Sequence, residues 1–172
     1  GLVGSEMCIR DRFYSSDYSK PFALDIRPSL FNFKEKNRYT FDIEISPRFR
    51  FSDKFNLIYT YYYENSSDEQ GAALDPNWDI TLIDDQVVFG TRDRLNIENS
   101  IEANYIFNNK MGISFNLRHY WAKVEHNSFF LLNSDGSLTA NNYTGLTNDN
   151  VSLHNNNFNA FTSTINFLFT FT

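Results

Sequence analysis

Arg38-Tyr39-Thr40-Phe41-Asp42-Ile43-Glu44-Ile45-Ser46-Pro47-Arg48-Phe49-Arg50-Phe51 decides how this chain is to be read. Tyr39, Phe41, Ile43, Ile45, Pro47, Phe49 and Phe51 fall on one parity, and Arg38, Thr40, Asp42, Glu44, Ser46, Arg48 and Arg50 on the other. Successive side chains of a strand point to opposite faces, so the segment presents one apolar face and one charged face. A soluble sandwich strand also alternates, but its run is usually shorter and its polar face meets open solvent. About fourteen residues at roughly 3.3 Å each reach about 45 Å. A tilted membrane-crossing strand needs only about 9–11 residues. The expectation is an all-β chain: an antiparallel meander of about seven long strands forming part of a transmembrane β-barrel, with lipid on the aromatic side and a polar lumen on the other.

The flanking segments continue the pattern. Phe22, Leu24, Ile26 and Leu30 oppose Asp25, Arg27 and Ser29; Phe55, Leu57, Tyr59, Tyr61 and Tyr63 oppose Asn56, Thr60 and Glu64. Leu95, Ile97, Ile101, Ala103, Tyr105 and Phe107 oppose Asn96, Glu98, Ser100, Glu102 and Asn104. Met111, Ile113, Phe115, Leu117 and Trp121 oppose Ser114, Asn116 and Arg118, and Phe161, Ile165, Phe167, Phe169 and Phe171 oppose Thr162, Thr164, Asn166 and Thr170. Three turns share one chemistry of small polar residues and a lysine: Ser19–Phe22, Ser52–Phe55 and Asn108–Met111. Ser, Asp and Asn stabilise turns by bonding nearby backbone groups. The three belong at one end of the sheet, which sends the connections Lys34–Asn37, roughly Asn65–Gln86 and Asn133–Asn157 to the other. Short turns at one end and long loops at the other are the outer-membrane arrangement. An odd strand count with two open ends reads as a fragment, since bacterial barrels normally have an even count.

Composition agrees with a barrel and excludes other classes. Aromatics are 17% of the 172 residues, yet the mean hydropathy is −0.45. A helical membrane protein needs about eighteen or more consecutive apolar residues, and the longest runs here resemble Phe129–Leu132. The formal charge of −6 argues against nucleic acid as a partner. With Cys8 alone, the chain can form no internal disulfide and no thiolate metal cluster. Residues 1–12 resemble a translated sequencing-adaptor scar of the kind found in metagenomic reading frames. They are set aside, leaving 13–172 as the barrel segment.

Two groups of residues are candidates for function. Asp42, Glu44, Arg48, Arg50, Glu98, Glu102 and Arg118 would project into the lumen. Their mixed signs suit mutual pairing better than ion selection. Tyr59, Tyr61, Tyr62, Tyr63, Tyr120 and Trp121 are expected in an aromatic girdle at the membrane interface, with Tyr59, Tyr61, Tyr63 and Trp121 the primary set. His119, His126 and His154 do not make a metal site: the first two differ in parity and the third lies in a loop. Asn133-Ser134-Asp135-Gly136-Ser137 lacks the spaced oxygens and closing Glu of a calcium loop. The Asn-, Ser- and Thr-rich stretch running on to Asn157 suits a solvated loop, open to glycan contact. No nucleophile elbow, phosphate loop or zinc-protease signature is present, so neither a catalytic residue nor a cofactor is expected.

Tyr105–Gly112 followed by Leu117–Glu125, together with Ser46–Phe55 and Asn156–Phe161, resembles the C-terminal region of a Gram-negative outer-membrane family. Its full-length members join an N-terminal carbohydrate-binding module, similar to family nine, to a C-terminal barrel-like domain of unknown function. The resemblance implies outer-membrane localisation, the lipid bilayer as a partner, and carbohydrate as a ligand of the upstream module. Members are sometimes labelled membrane-associated hydrolases, but no residue here carries a catalytic role across. The alternatives are a soluble extracellular β-sandwich binding module and part of a hydrolase.

Overall fold

The structure is a computed structural model that describes residues 7–34 and 37–169. Glu35 and Lys36 of the Lys34–Asn37 connection, and Thr170 and Phe171 of the last predicted strand, lie outside the described residues, as do residues 1–6. Every regular element described is a strand: β1 (Met7–Asp11), β2 (Tyr14–Ser15), β3 (Phe22–Phe33), β4 (Tyr39–Ser52), β5 (Phe55–Ala72), β6 (Leu82–Ile83), β7 (Gln86–Asn108), β8 (Met111–Leu132), β9 (Leu138–Ala140) and β10 (Asn156–Phe169). One antiparallel sheet runs β1-β3-β4-β5-β7-β8-β10, with β2, β6 and β9 attached beside β3, β7 and β8. It does not close: β1 and β10 do not pair. Its first strand comes from the leader set aside in the sequence reading, Met7–Asp11 pairing with Phe33–Ser29.

The register keeps each parity on one face across the sheet. Ile43 stands opposite Tyr63, Tyr63 opposite Ile97, and Ile97 opposite Trp121, so one apolar row crosses β4, β5, β7 and β8. On the reverse face Asp42, Glu64 and Asn96 form the matching polar row, which ends opposite Ala122. Where Pro47 supplies no N–H, the β4–β5 ladder skips Ser46 and Pro47.

The three lysine turns lie together at one end. Arg50 N–H donates to Pro21 O (2.7 Å), tying the first turn to the end of β4, and Ile106 N–H donates to Lys54 O (2.8 Å), tying the second to β7. At the opposite end the strands outrun the sequence expectation. Asn65–Ala72, expected in a loop, is the second half of β5 and pairs with Leu95–Phe89. Polar residues on both faces hid the strand, because alternation vanishes where neither side is apolar.

Two β-bulges mark the change. One lies between Ser66 and Glu69 on β5, the other at Asn127 on β8, and both flank Arg92 and its neighbours on β7. A bulge adds one residue and reverses the parity beyond it. Phe129 and Leu131 therefore share a face with Gly90 and Val88 and, further down, with His126 and Arg92.

Burial runs opposite to that of a water-soluble domain. The buried polar residues are Asp25, Ser29, Asp42, Ser46, Ser66, Asn96 and His154, whereas the buried apolar ones are Ala23, Ala73 and Val88. Asp42 is 7% exposed, while its neighbours Phe41 and Ile43 on the apolar face are only half-buried; the edge strand β10 is exposed on both faces. No second layer of strands or helices covers the apolar face among the described residues. A single-layer sheet shields one face by curling toward it, and here the shielded face is the polar one.

Candidate functional site

The polar face is a field of paired charges. Asp42, Glu44, Arg48, Arg50, Glu98, Glu102 and Arg118, singled out from sequence, all lie on it. Arg48 Nε meets Asp25 Oδ2 at 3.3 Å, Arg27 meets Glu44 at 3.2 Å, and Arg118 pairs with Glu98. Asp42 accepts a hydrogen bond from Ser29, its partner across the β3–β4 ladder. Glu102 accepts from Asn104 Nδ2 (2.8 Å), and Arg50 donates to Tyr18 O (3.2 Å). Alternating charge along one strand face becomes neutral across strands, because register sets each acid beside a base or a donor. Burying the charges without partners would cost several kcal/mol each.

Sequence reasoning missed the two hubs of this face. Asp25 accepts from Tyr18 Oη (2.6 Å) and Ser15 Oγ (2.7 Å) as well as pairing with Arg48. Glu64 receives Tyr62 Oη (2.7 Å), Asn96 Nδ2 (3.0 Å) and Arg94 (2.8 Å). Asp25 and Glu64 were visible as polar-parity residues, but only the register could show how many donors converge on them.

Tyr59, Tyr61, Tyr63 and Trp121 lie on the apolar face. Tyr62 and Tyr120 do not belong with them. They have the opposite parity and sit on the polar face, Tyr62 against Glu64 and Tyr120 Oη donating to Asn96 Oδ1 (3.2 Å). A second aromatic row, missed in sequence, lines the turn end: Phe22–Phe49 (5.3 Å between centroids), Phe49–Phe51 (6.1 Å), Phe51–Phe55 (5.0 Å), Phe55–Tyr105 (6.2 Å) and Tyr105–Phe107 (5.0 Å). From Met111 in the turn-end region to Trp121, β8 spans about 33 Å at roughly 3.3 Å per residue. At a tilt of about 40° this is roughly 25 Å of height.

His119 interrupts the apolar face without leaving a polar atom stranded. Tyr59 Oη donates to Asn99 Oδ1 (2.6 Å), and Asn99 Nδ2 approaches His119 Nδ1 (3.4 Å). His119 Nε2 faces Asn159 Oδ1 (3.1 Å). An amide NH2 only donates and an amide oxygen only accepts, which assigns the proton of a neutral His119 to Nε2. Trp121 Nε1 likewise donates to Asn157 Oδ1 (2.7 Å).

Beyond the bulges the loops fold onto the polar face. His154 Nδ1 faces Leu74 O (2.8 Å) and its Nε2 faces Tyr143 Oη (2.7 Å), so one imidazole joins the loop after β5 to the loop before β10. Phe129 packs on His154 (5.0 Å) and Tyr143 (5.3 Å), and His126 stacks on Phe129 (5.4 Å). Gly145, at φ +66°, makes room: a Cβ there would lie 2.6 Å from the Phe129 ring. Between these loops and the sheet lies a cavity of about 490 Å³. Burial, then Arg92 and His154, hold the His126 pKa down to about 4. His119, His126 and His154 do not assemble into a metal site among the described residues.

No curated protein and no solved structure matches this chain. One family model does, over residues 4–172, a span that takes in every described strand from Met7–Asp11 to Asn156–Phe169. The chain therefore belongs to the family described as domain of unknown function DUF5916.

Proposed function

We propose that this chain is a membrane-embedded segment of an outer-membrane β-barrel, its apolar face against lipid and its polar face lining a water-filled interior. The observation that carries this reading is the inverted burial within single strands: Asp42, Ser46, Ser66 and Asn96 are buried while Phe41, Ile43, Ile45, Tyr63 and Ile97 on the apolar face are only half-buried. In water such a sheet would expose a contiguous apolar face with nothing to bury it, a costly arrangement for a soluble domain. In a bilayer the same face is solvated. Three further features agree with it. Aromatic rows border the apolar belt at both ends, as in outer-membrane barrels. The belt, about 33 Å along β8 at roughly 3.3 Å per residue, is long enough to stand about 25 Å tall at the strand tilt of such barrels. The polar atoms of Tyr59, Asn99, His119 and Trp121 on that face have partners, which lowers their cost away from water.

The paired charges favour a neutral, well-filled interior over an ion-selecting ring. On this reading carbohydrate enters the parent protein's work through the upstream module that the family resemblance implies, and this segment supplies anchorage or passage. The reading is tested by cysteine labelling in vesicles, in a Cys8→Ser background. A lipid-confined maleimide should react with Phe115→Cys and a water-soluble one with Asn116→Cys. Equal reaction of both positions with the water-soluble reagent would refute the assignment of faces.

A further inference from the structure

The cavity at the loop end has a largely apolar wall with two charges in it. Pro76, Trp78, Val124, Leu153 and Phe158 supply the apolar surface, and Asp75 and Arg92 are the charged groups that line it among the described residues. Trp78 and Phe158 stand open, at 69% and 52% exposure, so an apolar body laid against them would take that surface out of water. The two imidazoles take no part. Both ring nitrogens of His126 are shut off from solvent, and those of His154 are engaged with Leu74 O and Tyr143 Oη.

The two charges are not equivalent. Asp75 is turned into its own loop: Oδ1 accepts from the N–H groups of Asn77 (2.8 Å) and Asp79 (2.9 Å), and Oδ2 from Asn77 Nδ2 (3.5 Å). Arg92 is answered only in part. Its Nε meets Glu69 Oε2 at 3.2 Å, and that same oxygen lies 3.3 Å from Arg94 Nε. Nη1 and Nη2 of Arg92 have no acceptor among the described residues, and the side chain keeps 24% of its surface open. Gly71 seats this guanidinium, since a Cβ there would come within 3.2 Å of Nη2. A planar fork of uncommitted N–H donors matches the two oxygens of a carboxylate.

We infer that the cavity between the Asp75–Asp79 turn, the loop before β10 and the Tyr120–His126 stretch of β8 binds a small aromatic monocarboxylate. Its carboxylate meets Arg92 and its ring lies against Trp78 and Phe158. The Asp75 turn holds Trp78 in place beforehand, with Trp78 N–H donating to Asp75 O (3.0 Å), so little conformational freedom is lost on binding. A neutral aromatic would leave the Arg92 fork without its acceptors, and a bare small anion would leave the rings open. A dianion would bring its second charge to a wall that holds Asp75 and no second cation. The volume of about 490 Å³ lies within the ~300–1,000 Å³ of small-molecule sites, which are mostly apolar with a few polar groups. The cavity lies on the polar side of the sheet, so the inference stands whichever solvent bathes the apolar face.

The test is a fluorescence titration of the full chain in detergent, with Trp121→Phe so that Trp78 is the sole tryptophan. Phenylacetate carries both ring and carboxylate, phenylacetamide the ring alone and acetate the carboxylate alone. The expected result is saturation by phenylacetate, with the amide and acetate each weaker by about tenfold or more (about 1.4 kcal/mol). Arg92→Gln should erase the advantage of the acid over the amide. Phe158→Leu, at a ring already half open on the edge strand, should weaken phenylacetate while leaving Arg92 in place. The inference is overturned by no saturable change with phenylacetate, by amide binding as tight as acid binding, or by either variant binding the acid as the unsubstituted cavity does. Should Arg92→Gln fail to fold, the acid–amide comparison and Phe158→Leu decide the matter. Failure of the outer-membrane reading would show instead in the cysteine labelling, with this titration unchanged.

Discussion

The strands β7 and β8 behave as two different proteins above and below their bulges. Below, toward the turns, the polar face carries Asn96, Glu98 and Arg118 and the apolar face carries Ile101, Phe115 and Leu117. Above, the shielded face carries Val88, Gly90 and Phe129, and two loops close over it. The lower half puts its apolar residues outward and the upper half puts them inward. On the proposed reading one chain adopts both patterns because its two halves meet different solvents. On that reading hydrocarbon accepts the lower belt, whereas the upper half stands in water and buries apolar surface against its own loops. The bulges at Ser66–Glu69 and Asn127 make the exchange possible, since each reverses which residues face inward.

The largest expected effect separates the faces of the lower half. Ile101→Arg should destabilise folding into vesicles by about 2–4 kcal/mol, the cost of a cation at the bilayer midplane. Ser100→Arg, one residue away on the polar face, should cost far less. Equal effects in a urea titration would erase the distinction between the faces. Next comes the upper half. Gly145→Ala should cost about 2–3 kcal/mol, from positive φ and from a Cβ 2.6 Å from Phe129. Gly136→Ala, with φ +82° and nothing within 4 Å, should cost only about 1 kcal/mol. Limited proteolysis of the loop before β10 measures both, and a more severe Gly136 variant would show that the loop is not latched through Phe129.

A smaller effect follows from His126. Its pKa is about 4 in the docked structure and near 6.5 when free, so the undocked state takes up a proton first. Loop docking is then fully stable above about pH 6.5 and weakens as the pH falls toward 4. Hydrogen exchange of residues 141–155 should quicken over that window while exchange in β4 stays unchanged, and His126→Phe should remove the dependence. The smallest effect belongs to the exposed Arg118–Glu98 pair, where Arg118→Met should change stability by only ~0–1 kcal/mol.

The lower half was legible in the sequence because one apolar face and one polar face write a period of two into every strand. That period placed Asp42, Glu98 and Arg118 on one face and Tyr63 and Trp121 on the other. It failed for Tyr62 and Tyr120, which were grouped with the aromatics by type although their parity set them apart. It could not show the Phe22–Phe107 row, since neighbours across strands are fixed by register. The upper half was not legible. Ser66–Ala72 has no apolar parity, the bulge at Asn127 breaks the period, and the His154 latch reaches Leu74 across eighty residues of chain separation. Loop docking of that kind leaves no local pattern.

The contrast between the halves is most directly measured by fluorescence quenching with brominated lipids in vesicles, using Trp121→Phe and Trp78→Phe to isolate each tryptophan. Trp121 lies at the upper border of the apolar belt and Trp78 at the tip of a loop beyond it. Strong quenching of Trp121 with Trp78 left bright is the predicted result. Trp121 quenched no more than Trp78 would contradict the account, for the apolar face would then not be the one that lipid touches.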